Sequence, residues 1–389
     1  MHDGAVQRPL LFTPLALRGV TARNRVVISP MVQYQANDGF VNDFHLVHLG
    51  AFARGRAGIV FTENAGVVPG GRVTEMDLGA WSDAHVEGLR RLVAFIRGQG
   101  ALAGIQLTHS GRKGAVQSGP EGNGPLTDAD RARGRTDWPV VGPTTEPVGP
   151  GWLVPHQLTP AEIAGFVDAW AQAARRADRA GFDVCEIHGA HGYLLASFLS
   201  PVSNTRNDAY GGDRAGRMRF PLEVAGAVRT AWPAHKPLFF RVSALDGAGG
   251  WDLEDTVALA AELKACGVDV VDCSSGGLTG TATAAPIPRH PGFQVPYASA
   301  VKRRAGVATM AVGLILDGPQ AETILQEGHA DLIAVGRQAL YDPFWALHAA
   351  QALGCDADFA LWPSEIGWWL EKRSKILPGA RDSSRASSS

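Results

Sequence analysis

Residues 159–188 read TPAEIAGFVDAWAQAARRADRAGFDVCEIH, a segment in which a predicted helix leads directly into a predicted buried strand. The opening TPAE is a helix start in which Thr159 caps the helix, proline occupies the first turn and Glu162 reaches back to the cap. The helix is predicted to end at Gly181. The apolar run Val184 to His188 then lacks polar alternation, which predicts a parallel strand covered on both faces.

Seven further apolar runs of this kind lie before and after that unit. Helix-like segments separate them, such as those that begin at Ser82 and Asp252 and end near Gly100 and Gly267. Strand and helix that alternate eight times predict an α/β fold, the (β/α)8 TIM barrel of eight parallel strands. The predicted strands are Arg25 to Ser29, Gly58 to Glu63, Leu102 to Leu107, Val184 to His188, Leu238 to Ser243, Asp269 to Ser274, Ala308 to Val312, and Leu332 to Gly336.

An open doubly wound sheet is the alternative fold for alternating strands and helices. That fold usually has the motif G-x-G-x-x-G after its first strand. This chain has Ser29-Pro30-Met31-Val32 at that place, so we expect the barrel.

Two segments do not fit the eightfold repeat. Gln117 to Leu158 is rich in Gly, Pro, Asp and Arg and is too long for an ordinary connection. It predicts an excursion after the third strand, with a disordered insertion as the alternative. A C-terminal extension contains the adjacent Trp368 and Trp369, which require burial. We expect a single domain over residues 1–373 and a disordered tail over residues 374–389.

The composition is that of a soluble globular protein. The 389 residues hold 36 Lys and Arg against 38 Asp and Glu, a formal net charge of −2, which argues against nucleic acid or an anionic membrane as a partner. No apolar run reaches the roughly 20 residues needed to span a bilayer, and the first residues lack a signal pattern. The four cysteines include no C-x-x-C pair, which argues against a metal cluster and indicates a reducing, cytoplasmic location.

The sharpest chemical feature is HGAHGY at residues 188–193, at the strand end where TIM barrels place their chemistry. Three interpretations are open. His188 and His191 could bind a metal ion, although a metal-dependent barrel hydrolase would add a His-x-His on strand one and an Asp on strand eight, and the sequence has neither. They could simply hydrogen-bond loop carbonyls. They could instead donate two N–H groups to a substrate oxygen, with Tyr193 as the proton donor.

Small residues at the ends of the last three strands predict a phosphate cradle of backbone N–H groups with one guanidinium. Gln106 and Arg241 suit the pyrimidine edge of a flavin, because an amide both donates and accepts and a guanidinium stabilises negative charge. The alternative is ordinary packing inside the barrel, with Arg241 paired to Glu186. The residues of the predicted cradle are Ser275, Gly276, Gly313, Gly336 and Arg337.

Longer stretches of the sequence resemble the old yellow enzyme family of FMN-dependent ene-reductases, in particular its bacterial xenobiotic-reductase branch. The resemblance runs from Leu11-Phe12-Thr13-Pro14 to Leu340-Tyr341-Asp342-Pro343, most of the chain. Together its motifs are highly specific. They include Ser29-Pro30-Met31, Gln33-Tyr34, Gln106-Leu107-Thr108-His109-Ser110-Gly111-Arg112-Lys113, His188-Gly189-Ala190-His191-Gly192-Tyr193-Leu194, and Asp208-Ala209-Tyr210-Gly211-Gly212.

The resemblance implies that the barrel holds FMN at its C-terminal mouth, takes hydride from NADPH or NADH, and passes it to an activated alkene. Two histidines would bind the substrate oxygen, and a tyrosine would protonate the α-carbon. The residues carried over to the cofactor are Ser29, Pro30, Met31, Val32, Asn64, Gln106, His188, Arg241, Ser275, Gly276, Gly313, Gly336 and Arg337. The residues carried over to the substrate are Tyr34, His188, His191, Tyr193 and Trp369.

Two residues depart from the family pattern near the flavin. Val32 stands where this branch usually carries Cys and other branches Thr, a hydrogen-bond donor near the flavin C4 carbonyl and N5. Valine cannot donate, so we expect a flavin that is harder to reduce. Asn64 stands where relatives usually have a small Ala, and it either supplies a substitute polar contact to the flavin or bonds only to its own loop.

The C-terminal segment predicts a dimer. One branch of relatives places an Arg from this segment in a neighbour's site, but Ile366 stands at that position here. The Trp368-Trp369 segment looks more like the xenobiotic-reductase tail, so Trp369 is expected to line the opposing site of a homodimer. The alternative is that Trp369 packs within its own chain.

Three functions follow from these observations. The first is an FMN-dependent NAD(P)H oxidoreductase that reduces activated C=C bonds next to carbonyl or nitro groups. The second is a family member diverted to another flavin redox reaction by its changes at Val32 and Asn64. The third is a metal-dependent barrel hydrolase that uses His188 and His191 as ligands.

Overall fold

The computed structural model describes residues 8–280 and 287–377. Eight parallel strands form the barrel, and we number them β1 to β8 in chain order. Each strand overlaps the run from which it was predicted. Their bounds are Val26–Ile28, Ile59–Gly66, Leu102–Thr108, Val184–Gly189, Leu238–Ser243, Val270–Ser274, Ala308–Ala311 and Leu332–Val335.

The sheet closes on itself. Consecutive strands pair in parallel from β1 to β8. The last strand also pairs with the first, with Val335 opposite Ile28. An open doubly wound sheet has two free edges, so this closure rules out the alternative fold and confirms the (β/α)8 barrel. A short strand, Leu78–Gly79, extends the sheet beside the end of β2.

One principal helix follows each strand, and we number these helices α1 to α8. Shorter helices lie in the loops at Asp128–Ala132, Leu194–Leu199 and Arg337–Tyr341. Single 3-10 turns lie at Leu10–Phe12, Pro69–Gly71, Gly111–Lys113 and Gly119–Glu121. The bounds of α1 to α8 are Asp43–Arg54, His85–Gly98, Pro160–Ala180, Arg214–Ala231, Leu253–Ala265, Val295–Ala305, Gly318–Gln326 and Trp345–Ala352.

Local signals in the sequence set the ends of α3. The Thr159 hydroxyl accepts the N–H of Glu162, and the Glu162 carboxylate accepts the N–H of Thr159 at 2.7 Å, so the predicted capping box is present. Gly181 ends the helix with φ +93°, a conformation that glycine adopts without strain. Helix α2 begins later than predicted, because Ser82 lies in the preceding turn and accepts the N–H of Ala84 there.

The lower half of the barrel interior is apolar. An antiparallel hairpin, Leu15–Leu17 with Val20–Ala22, covers the N-terminal ends of the strands. The hairpin packs on one cluster of buried side chains that point into the barrel. The members from the barrel strands include Val27, Ile59, Phe61, Val184, Phe239, Val270, Met310 and Leu332.

The excursion between β3 and α3 is folded. Besides the helix Asp128–Ala132, the strands Val141–Gly142 and His156–Gln157 pair in parallel within it. This finding corrects the alternative of a disordered insertion.

A C-terminal helix, Ser364–Ser374, follows α8. Ser374 therefore belongs to a helix rather than to the predicted disordered tail, and residues 378–389 of that tail lie outside the described residues. None of the helices in residues 8–280 and 287–377 is long and apolar enough to cross a membrane.

Candidate active site

A cavity of about 370 Å³ opens at the C-terminal mouth of the barrel, bordered by the ends of β1 and of β4 to β8. Nine residues that the sequence assigned to the flavin or the substrate lie in its wall: Ser29, Pro30, Met31, His191, Arg241, Ser275, Gly313, Gly336 and Arg337. Phe293, Gln294 and Gln338 also line it, and sequence reasoning missed them because they carry no motif.

Gly276 lies apart from this cavity. Its N–H donates to the carbonyl of Leu245 at 2.7 Å, and the residue borders a separate, smaller cavity beside Asp246 and Trp251. Its N–H group is therefore already used in this arrangement and is not available to a phosphate.

Two amide side chains and one carboxyl side chain lie side by side on β2, β3 and β4. Asn64 is in register with Gln106, and Gln106 is in register with Glu186. The Gln106 amide donates from Nε2 to Glu186 Oε2 at 2.7 Å. The Nδ2 atom of Asn64 is buried and has no hydrogen-bond partner among the described residues.

An irregularity in β2 brings Asn64 into this row. The register with β3 shifts between Phe61 and Asn64, which is the signature of a β-bulge. Glu63 instead faces α1, where its carboxylate accepts from His45 Nε2 at 3.0 Å and from the N–H of Gln33 at 2.7 Å. Glu63 thereby holds the loop that carries Val32.

A second set of side chains lies in register across β4, β5 and β6: His188, Arg241 and Asp272. Arg241 is the cation of this set. Its Nε lies 3.2 Å from Asp272 Oδ2, and its side chain donates to the hydroxyl of Ser29 at 3.2 Å. The structure therefore pairs Arg241 with Asp272, which corrects the pairing with Glu186 considered above. Asp272 was missed, although a charged residue inside an otherwise apolar strand is a usable signal.

His188, His191 and Tyr193 lie together at the C-terminal end of β4 and in the turn that follows it. The ring centres of His188 and His191 are 5.2 Å apart, and those of His188 and Tyr193 are 4.9 Å apart. The N–H of Ala190 donates to His188 Nδ1 at 3.2 Å, so the proton of the neutral ring is on Nε2. Burial, and then the charge of Arg241, holds the pKa of His188 well below its usual range. Burial also raises the pKa of the Tyr193 phenol.

Ser274 contacts the ring of His191. The Ser274 hydroxyl lies 2.8 Å from His191 Nε2 and donates to Gln294 Oε1 at 3.4 Å. Burial, and then the charge of Arg241, keeps the pKa of His191 well below its usual range, so the ring is neutral and carries one N–H.

Lys113 clamps the loop that contains His191. Its ammonium donates to the carbonyls of His191 at 2.9 Å and Gly277 at 2.6 Å, and lies 5.8 Å from the ring centre of Tyr193. His191 has φ +60°, a strained conformation for a side chain with a Cβ, and this clamp helps to hold it. The sequence motif contained Lys113, but no role was assigned to it.

Tyr34 connects the mouth to the excursion. The backbone of Gly119 hydrogen-bonds the Tyr34 phenol oxygen, and burial is the main cause that raises the pKa of Tyr34. Trp369 does not line the cavity and is 67% exposed on the C-terminal helix.

The polar groups at the mouth fit a flavin. Its pyrimidine edge presents alternating carbonyl and N–H groups, and Gln106 can both accept from it and donate to it. The Nδ2 of Asn64, which is buried and has no partner among the described residues, is a donor of the kind that a bound group satisfies. A Cβ added at Gly336 would lie 3.8 Å from its nearest neighbour, Met31 Sδ, so the floor of the cavity is open there.

The same site does not have the ligand set of a metal ion. Within residues 8–280 and 287–377, no group of three or more His, Cys, Asp or Glu side chains is arranged to hold one. His188 and His191 lack a third such partner, so the geometry gives the hydrolase interpretation no support.

Comparisons with known proteins agree with this geometry. Residues 10–355 match the NADH:flavin oxidoreductase / NADH oxidase family. The NADPH dehydrogenase of Geobacillus sp. (strain WCH70) is 41% identical over 362 residues, 92% of this chain and 98% of the relative. The NADPH dehydrogenase of Geobacillus thermodenitrificans (strain NG80-2) is 42% identical over the same length.

Among solved structures, morphinone reductase is similar with a TM-score of 0.73 and 26% identity, over 90% of this chain and 91% of that chain. A 2-naphthoyl-CoA reductase shares the fold with a TM-score of 0.78 and 24% identity. The match covers 90% of this chain but only 53% of that longer one.

The fold and the site thus define a flavin-dependent oxidoreductase barrel. This chain belongs to the old yellow enzyme family, the NADH:flavin oxidoreductase / NADH oxidase family. It is an FMN-dependent NAD(P)H oxidoreductase. The predicted fold, cofactor and enzyme class are confirmed, and the metal-dependent hydrolase is wrong.

Proposed function

We propose that this enzyme reduces activated alkenes, in which a carbonyl or nitro group is conjugated to the C=C bond. The observation that supports this proposal best is the contact of two neutral histidines with a neutral phenol beyond β4. Such a group of donors suits a substrate oxygen that gains negative charge and a carbon that must receive a proton.

The histidines would bind the substrate oxygen. His188 offers Nε2–H, because the N–H of Ala190 donates to its Nδ1, and the neutral ring of His191 offers its one N–H. Each donor lowers the barrier by about 3 kcal/mol when water is excluded, since charge builds up on that oxygen during the reaction. The same polarisation makes the β-carbon electrophilic.

Tyr193 would deliver the proton to the α-carbon. The raised pKa keeps its phenol protonated at neutral pH, and Lys113 lies over its ring rather than beside an ionised oxygen. Because His188 has a depressed pKa and Tyr193 a raised one, we expect neither of these two groups to make the rate of alkene reduction depend on pH in the neutral range.

When bound, FMN would supply the hydride chemistry between the nicotinamide and the β-carbon. The residues of this chain would hold the cofactor from three sides. Gln106 and Asn64 would face its pyrimidine edge, Arg241 would stabilise negative charge near N1, and Pro30 and Met31 would support the ring. The phosphate would lie against Ser275, Gly313, Gly336 and Arg337, which line the cavity.

Anaerobic spectroscopy tests this function. NADPH is the first reductant to use, because the curated relatives are NADPH dehydrogenases. We expect NADPH to bleach the bound flavin and 2-cyclohexenone to restore its absorbance. Flavin that is bleached but not restored by enones, maleimides or nitroalkenes would contradict alkene reduction and support the diverted redox reaction.

We also propose a homodimer in which Trp369 lines the neighbour's substrate pocket. Trp369 is 67% exposed and Trp368 is 52% exposed, and the centres of their two rings lie 4.6 Å apart. Two adjacent exposed tryptophans are unusual on a free surface, so a second copy of the chain is the expected cover. The alternative, packing of Trp369 within its own chain, receives no support from this exposure.

Trp369→Ala tests the shared site. We expect a higher KM for 2-cyclohexenone with little change in the rate of flavin reduction by NADPH, because only the substrate pocket loses a wall. Phe95→Ala is the control, because Phe95 is a partly exposed aromatic residue on α2, away from the C-terminal helix. Sedimentation of the wild type as a monomer, or an unchanged KM in Trp369→Ala, would contradict the shared pocket.

A further inference from the structure

Glu186 is a fully buried acid at the floor of the mouth to which the reaction above gives no role. It is 0% exposed. Its Oε2 accepts the Gln106 amide at 2.7 Å, while its Oε1 is buried with no hydrogen-bond partner among the described residues.

The surroundings favour an uncharged Glu186. Arg241, the nearby cation, already lies 3.2 Å from Asp272, which is itself 0% exposed. One guanidinium thus faces two buried carboxyl groups. An ionised carboxylate with a single hydrogen bond is costly to bury, whereas a carboxylic acid costs far less. In agreement, burial and then the charge of Asp272 raise the pKa of Glu186 to about 8.

The Gln106 amide can donate two N–H groups to hydrogen bonds and can accept hydrogen bonds at its carbonyl oxygen. One N–H is held by Glu186, so the other N–H and Oε1 remain for a ligand. The flavin edge alternates carbonyl and N–H groups, and an amide turned the wrong way round would place donor against donor. The orientation of this amide therefore decides whether the edge is bound.

We propose that Glu186 is a positioning residue that acts through Gln106: its Oε2 accepts one amide N–H and so fixes the face that Gln106 presents to FMN. A neutral Glu186 would also spare a reduced flavin an additional negative charge near its pyrimidine edge. This inference rests on the placement of FMN proposed above but not on the identity of the alkene.

The experiment compares FMN release from holoenzyme variants, measured by the gain of flavin fluorescence after dilution. Glu186→Gln is uncharged and keeps an acceptor oxygen, so we expect the wild-type rate of release. Glu186→Met removes the acceptor, and we expect release to be faster by about tenfold, the equivalent of one hydrogen bond. In the Gln106→Ala background, Glu186→Met should cause no further change.

A second readout reports the charge directly. The infrared spectrum of the wild type at neutral pH should show the C=O band of a carboxylic acid that is missing in Glu186→Gln. This measurement and the Glu186→Gln release rate stand even where Glu186→Met does not fold.

Three outcomes overturn the proposal. Release of FMN from Glu186→Gln that is about tenfold faster shows that the charge of Glu186 is needed. An effect of Glu186→Met that persists in the Gln106→Ala background shows a role that bypasses Gln106. FMN release that is unchanged in Gln106→Ala shows that Gln106 does not touch FMN, and this result also refutes the placement of the cofactor while leaving alkene reduction open.

Discussion

In β5, Phe239 belongs to the apolar cluster in the lower half of the barrel interior, whereas Arg241, two residues later, lies in the upper half beside Asp272. In β4, Val184 likewise belongs to the apolar cluster, whereas Glu186 lies in the upper half, where it accepts a hydrogen bond from Gln106. Alternate residues of a strand point to the same side, so both halves are lined by the same strands. Side chains fill the lower half, and the upper half is left as a cavity with polar walls.

The two halves differ in what they contribute. Apolar side chains in the lower half leave water and pack closely, which stabilises the fold. Buried polar groups in the upper half include Asn64 and Asp272, which have atoms without partners among residues 8–280 and 287–377. Such groups cost stability, and a ligand that satisfies them explains their presence. Substitutions in the lower half should therefore change stability, and those in the upper half should change function.

Phe239→Ala gives the largest expected effect, a loss of about 3–5 kcal/mol in the free energy of unfolding. The ring is fully buried and packs against Phe61 with centres 6.0 Å apart, so its removal leaves a cavity. Denaturant titration measures this change. Phe95→Ala is the control, because Phe95 is 37% exposed on α2. If Phe239→Ala kept its stability but reacted more slowly with the enone, the assignment of stability to the lower half and of function to the upper half would be contradicted.

Tyr193→Phe should slow re-oxidation of the reduced enzyme by 2-cyclohexenone by about a hundredfold, because the proton donor is lost while the ring remains. Stopped-flow absorbance of the flavin measures both half-reactions. The rate of reduction by NADPH and the free energy of unfolding should stay near wild type. Equal re-oxidation rates in Tyr193→Phe and wild type would assign the proton to another group.

Lys113 should make stability depend on pH. Burial, and then the charge of Arg112, lowers the pKa of Lys113 to about 7 from 10.5. Below pH 7 the lysine is charged in both states, and the folded state bears the full cost of burying the charge. Between about 7 and 10.5 the unfolded state binds more protons, so stability rises with pH.

Lys113→Met lacks this titration. The free energy of unfolding of the wild type should increase relative to the variant, by at most about 1.4 kcal/mol per pH unit in that range. Denaturant titrations at a series of pH values measure the difference, with the surface variant Lys372→Met as the control. A difference that is constant with pH would show that the buried ammonium does not release its proton.

Val32→Cys should have the smallest effect of the four. A thiol restores one hydrogen-bond donor near the flavin C4 carbonyl and N5, which is worth roughly 1 kcal/mol to the reduced form. For a two-electron couple this raises the midpoint potential by about 20 mV. Val32→Ala is the control without a donor. A potential in Val32→Cys that is unchanged or lower would refute the interpretation of Val32.

Much of the site could be predicted from the sequence, because its motifs lie directly at strand ends. His188 lies within β4 near its end and Tyr193 in the short turn that follows, so the end of the strand sets their position. Gly276 could not be placed in this way. Its N–H bonds to Leu245 from a different loop, and no local pattern reports that contact.

The barrel, the order of its strands and helices, and the family could all be predicted from local signals. Uninterrupted apolar runs and helix caps are such signals, and each was sufficient to place its own element. Which polar groups meet inside the mouth depended instead on contacts between distant segments. The bulge in β2 turns Asn64 inward and Glu63 toward His45, whereas strict alternation after Phe61 predicts the reverse. The pairing of Arg241 with Asp272 instead of Glu186 likewise depends on register and distance between strands, which are non-local quantities that no single segment encodes.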